Sequence, residues 1–83
     1  MRQEQIFGNV VNQVQLIDNE VGKRIYNTRK YLGMSRKELA EYIGITQQQL
    51  SKYENGTNRI SAGRLLLVSK KLCKNIRYFF NLI

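Results

Sequence analysis

The sequence predicts a compact all-α domain of five helices, preceded by an extra N-terminal helix or arm. Apolar residues recur at helical spacing along most of the 83-residue chain. Three hexapeptides, MSRKEL (34–39), ITQQQL (45–50) and ISAGRL (60–65), repeat one helix-start grammar. No stretch alternates apolar and polar residues as a half-buried strand would.

Ile6, Val10, Val14 and Ile17 have helical spacing and suggest a helix before residue 20. Val21, Ile25, Thr28 and Leu32 form the stripe of the next helix, about 20–32, which Gly33 ends. Each hexapeptide then starts a helix. Its hydroxyl (Ser35, Thr46, Ser61) accepts a hydrogen bond from an otherwise unsatisfied backbone N–H. Its apolar pair, five positions apart on either side of the cap, forms a hydrophobic staple. Glu38 and Gln49 complete capping boxes with Ser35 and Thr46; Arg64 leaves the third without one. Gly44 and Gly56 suit the left-handed residue that closes a helix. The second helix therefore spans about 35–43, the third 46–55 and the fourth 61–73, striped by Leu65, Val68 and Leu72. Cys73 reads as a small, partly buried apolar residue of that fourth helix. Asn75 caps a short fifth helix carrying Ile76, Phe79 and Phe80. Little more than Gly44-Ile45 separates the second and third helices, so they cross with their apolar faces in contact.

Composition excludes several functions. The chain has one cysteine and no histidine. An internal disulfide, a His/Cys zinc site and a Ser-His or Cys-His nucleophile pair are all ruled out within it. It has no Gly-rich phosphate loop, and its six acids form no obvious catalytic pair, so neither an enzyme nor a cofactor is expected. The longest apolar run, Leu65–Val68, is far too short for a bilayer, and the N-terminus lacks a signal-peptide core. A cytoplasmic location, at a bacterial or phage nucleoid, is the expectation.

Net charge is +8 and unevenly placed. Residues 1–20 hold one base and three acids, net −2; residues 21–83 hold thirteen bases and three acids, net +10. Such a body attracts polyanions, nucleic acid before anionic membrane. The best membrane-surface segment is LCKNIRYFFNLI, a weaker option.

With Leu50 pointing into the core at 100° per residue, Tyr53 shares the buried side and Glu54 flanks it. Gln49 lies at the side, where capping occupies it. Gln47, Gln48, Ser51 and Lys52 make an outer face of hydrogen-bonding groups without an acid. Gln pairs bidentately with adenine in the major groove and Lys reaches guanine. The same residues also suit a plain solvated face, and the face alone does not decide.

The segment GKRIYNTRKYLGMSRKELAEYIGITQQQLSKYENGTNRIS resembles the lambda-repressor-like, or XRE-type, helix-turn-helix family. The match runs from Val21 to Phe80, with Arg36–Asn55 as the twenty-residue motif. Ala40 stands where the helices cross, Gly44 at the turn and Leu50 at the buried position of the second motif helix. The resemblance implies a five-helix domain with its third helix in the major groove of double-stranded DNA. It implies base contacts from Gln47, Gln48, Ser51 and Lys52. It implies a contact from Arg36 to the DNA backbone or the outer base, and backbone contacts from Lys37 and from the loop residues Asn55, Thr57, Asn58 and Arg59. It also implies a structural pair of Arg29 with Glu54, which agrees with an inward-leaning acid in a basic domain. Arg36 departs from the family, where many members carry glutamine.

The expected organisation is an arm at 1–19, a DNA-binding domain at 20–80 with the motif at 35–55, and an apolar tail at 81–83. The expected function is a sequence-specific transcriptional repressor, binding a near-palindromic operator as a homodimer. The candidate dimer surface is Phe79, Phe80, Leu82 and Ile83 with Ile6, Val10 and Val14, although Phe79 suits the core better. The alternative is an antitoxin or accessory interaction module with a protein partner on residues 1–20 and auxiliary DNA binding.

Overall fold

Four α-helices and a closing 3₁₀ turn make up the protein in a computed structural model that describes residues 2–80, with the side chains of residues 10–80. The helices are α1 (Arg2–Tyr31), α2 (Arg36–Ile43), α3 (Gln47–Glu54) and α4 (Ala62–Lys71); the 3₁₀ turn is Ile76–Phe80. No helix among them is long and apolar enough to cross a membrane.

The helix starts follow the hexapeptides. Ser35, Thr46 and Ser61 cap α2, α3 and α4, accepting from the backbone N–H of Glu38 (3.0 Å), Gln49 (3.0 Å) and Arg64 (3.2 Å). Each cap stabilises its helix by about 1 kcal/mol. Among the described residues only this hydroxyl half of each capping box forms. The Glu38 carboxylate turns instead to Lys71 Nζ, 3.4 Å away on α4. Met34, Ile45 and Ile60, the outer members of the staples, pack against the core.

That core is Val21, Ile25, Leu39, Ala40, Ile43, Leu50, Leu65, Val68, Leu72 and Phe79. It draws on every element, and each large apolar side chain fully buried contributes roughly 1.5–3 kcal/mol. Arg64 adds a polar tie, its Nε donating to the Ile43 carbonyl that ends α2 (3.2 Å).

Several expectations need correction. The N-terminal helix and the helix from residue 20 are one continuous α1. The segment Asp18-Asn19-Glu20 between them is helical and contacts the α3–α4 loop, as described below. Leu32 lies past the end of α1 and is exposed, because the chain reverses at Gly33. Phe79 is fully buried and belongs to the core rather than to a dimer surface, whereas Phe80 and Val10 are exposed. Leu82 and Ile83 lie outside the described residues, as does the side chain of Ile6. The fifth helix is a 3₁₀ turn, with Asn75 Oδ1 accepting from Arg77 N (2.9 Å).

Cys73 is neither buried nor helical. It is exposed and holds φ 55°, the left-handed conformation that glycines supply after α1, α2 and α3. It closes α4 in the same way: Cys73 N donates to Lys70 O (3.2 Å) and Lys74 N to Ser69 O (2.9 Å). A side chain there costs about 1–2 kcal/mol, partly offset by the greater unfolded-state freedom of glycine. Cys73→Gly is therefore expected to stabilise the domain by up to about 1 kcal/mol, raising Tm by a few degrees in a thermal melt. An unchanged or lowered Tm would count against the strain.

Candidate nucleic-acid interface

The roll of α3 is fixed from beneath. Leu50 is fully buried, Tyr53 is half-buried and Glu54 is buried. Gln47, Gln48 and Lys52 are consequently exposed and Ser51 half-buried, while Gln49 sits half-buried at the side. Gln47, Gln48, Ser51 and Lys52 line an open depression of about 450 Å³ together with Arg36 from the first turn of α2. No acid lines it. Amide and hydroxyl groups that can donate or accept stand beside two cations, a chemistry suited to base edges and phosphates.

Under this face lies an ionic cluster. Arg29 of α1 grips Glu54 with two parallel bonds, Nε to Oε2 at 2.7 Å and Nη2 to Oε1 at 3.1 Å. Its Nη1 donates to the Met34 carbonyl (3.0 Å). Arg29 is 4% exposed and Glu54 7%. The expected pair is thus formed, and buried. Arg36 joins it from the outside, with Nε 3.3 Å from Glu54 Oε1. The two terminal nitrogens of Arg36 make no hydrogen bond among the described residues, and its side chain is 38% exposed.

The other expected backbone contacts lie apart from the depression. Lys37 is exposed on α2. In the loop after α3, exposed Asn55 accepts at Oδ1 from Thr57 N (2.9 Å) and from the Thr57 hydroxyl. Asn58 and Arg59 are exposed. Arg59 is already engaged: its Nε lies 2.9 Å from Asp18 Oδ2 on α1. Gln15 Nε2 donates to the Gly56 carbonyl (3.3 Å), so α1 braces this loop twice. The sequence reading missed both contacts. Opposite charge was the available signal, and it does not single out one arginine among fourteen bases.

A family profile described as Helix-turn-helix matches residues 25–79. The chain belongs to the helix-turn-helix family. Its type is lambda-repressor-like, or XRE. An uncharacterised HTH-type transcriptional regulator of Rickettsia conorii is 54% identical over 67 residues, covering 81% of this chain and 54% of that protein. The chain spans about half the length of the curated relatives it matches. Among solved structures, the biofilm master regulator SinR in complex with DNA has a TM-score of 0.67 at 32% identity, covering 74% of this chain and 98% of that one. The restriction-modification controller protein C.AhdI from Aeromonas hydrophila has a TM-score of 0.70 at 24% identity, covering 75% and 94%.

In this helix-turn-helix domain the motif is α2, the Gly44 turn and α3, held by a shared core of Leu39, Ala40, Ile43 and Leu50. The family profile starts at Ile25, so the preceding part of α1, including Asp18 and Gln15, lies outside it.

Proposed function

We propose that the protein is a sequence-specific transcriptional regulator, acting as a repressor, which places α3 in the major groove of double-stranded DNA as a homodimer. The observation that carries this is the acid-free depression formed by Gln47, Gln48, Ser51, Lys52 and Arg36 on a chain of net charge +8. A B-DNA major groove accommodates one α-helix, and the polar groups of α3 stand on its solvent side. Lys37, Asn55, Thr57, Asn58 and Arg59 flank the reading helix and supply phosphate contacts. One such helix reads only a few base pairs, so a two-fold dimer on half-sites about one helical turn apart supplies the length of site. Val10 and Phe80, both exposed, support a contact between copies.

Selection of bound duplexes from a random pool tests the reading. A near-palindromic site is expected, with affinity that falls steeply as salt rises because phosphate contacts release counterions. Gln48→Ala is expected to lose about 1–3 kcal/mol of discrimination at one position of each half-site. A pool that stays unenriched, with Gln48→Ala binding like wild type, would remove the base-reading claim. That outcome would favour the second reading, a protein-interaction module, which Val11 and Leu16 support as exposed apolar residues of α1 outside the family match.

A further inference from the structure

We infer that Arg36 is a base-reading residue that selects guanine at the outer edge of each half-site, and that Glu54 is its positioning residue. The inference rests on α3 being the base-facing helix. By sequence Arg36 suits either a phosphate or the outer base. By geometry it groups with the readers: it lines the depression with Gln47, Gln48, Ser51 and Lys52, whereas Lys37, Asn55, Thr57, Asn58 and Arg59 do not.

The second observation is how Arg36 is held. A free arginine side chain samples many rotamers, and fixing one costs entropy when it binds. Here Arg36 Nε is tied to Glu54 Oε1 at 3.3 Å. Glu54 cannot follow the arginine outward, because Arg29 clamps both of its oxygens from the buried side. The relay runs from α1 through the end of α3 to the start of α2, all rigid elements. Tethered through Nε, the guanidinium keeps both terminal nitrogens for one planar acceptor pair. Guanine presents such a pair in the major groove, O6 beside N7, and bidentate arginine is its commonest specific partner. A phosphate contact needs no such fixation, since a flexible cation finds a phosphate from many directions.

Charge supports the same assignment. The cluster of two arginines and one glutamate keeps a net charge of +1, and Arg36 is its only member with substantial exposure. The surplus charge is therefore presented at the rim of the depression and not inside the core.

The test is a comparison of sites selected from random duplex pools by wild type, Arg36→Lys and Arg36→Ala, each with its salt dependence. For wild type an outer guanine is expected, preferred about fivefold to a hundredfold over other bases. Arg36→Ala is expected to erase that preference alone and keep the inner positions read by Gln47 and Gln48. Arg36→Lys, which keeps the charge but not the planar fork, is expected to lose most of the preference while keeping most of the affinity. If Arg36→Ala instead weakens all sequences equally and lowers the salt slope by about one, Arg36 is a phosphate contact and the inference falls, with the inner preferences still supporting α3 as reader. If wild type selects no sequence, the inference falls together with the reading beneath it.

Discussion

Replacing Glu54 with glutamine is expected to cost the domain about 3–5 kcal/mol. Small domains are stable by only roughly 5–15 kcal/mol, so this is a large share of the total. The reason is Arg29. Its guanidinium is 4% exposed and spends two of its donors on the Glu54 carboxylate. Glutamine keeps the shape but offers one acceptor and no charge, which leaves a buried cation uncompensated. Arg36 loses a partner as well, but it is partly exposed and can turn to water, so its share of the loss is small. Arginine at position 29 is thus the expensive half of the pair. The double variant Arg29→Met with Glu54→Leu is expected to lose much less than the two single losses added together, because it leaves no orphaned charge. Urea denaturation of Glu54→Gln, the double variant and its two single variants gives the comparison without adding salt. A Glu54→Gln midpoint close to wild type would show that the cluster is not what holds α1 to α3.

Much of this cluster was legible in the sequence, because an acid on the inner flank of α3 in a very basic chain requires a cation. The helix starts were legible for a related reason: caps and staples are local, and the residues that make them lie within five positions of one another. Three other features were not. The reciprocal half of the first capping box is missing, and Glu38 pairs instead with Lys71, a residue 33 positions away. The continuity of α1 was hidden because the partners that Asp18 and Asn19 meet, Arg59 and Gly56, come beside them only in the fold. The position of Arg36 beside the outer face of α3 was left undecided because it depends on how α2 crosses α3, which no periodicity encodes. Local chemistry is written in the sequence, whereas the choice among distant partners is made by the crossing of helices.

The crossing of α1 with the end of α3 depends on Gly22, and Gly22→Ala is expected to destabilise the domain by about 2 kcal/mol or more. In sequence this glycine reads as a weak point in a helix, where alanine would be better by about 0.8–1 kcal/mol. In the fold it is a point of contact between backbones. A Cβ on residue 22 would collide with the Tyr53 carbonyl oxygen and stand 2.8 Å from that of Glu54. Neither obstacle is a side chain that can swing away, so α1 and the last turn of α3 must separate. The overpacking term therefore exceeds the helix-propensity gain. Gly63→Ala provides the control: a Cβ there meets nothing within 4 Å, so this second helical glycine should show the propensity gain alone. Denaturation should therefore move the two variants in opposite directions, and a Gly22→Ala protein as stable as wild type would refute the close contact. The displacement also has a functional reach. Glu54 sits on the turn that would be pushed outward, and Glu54 holds Arg36 at the rim of the reading face. If the relay works as inferred, Gly22→Ala protein that remains folded at low temperature should bind DNA with its outer-base preference blunted, and its inner preferences less affected.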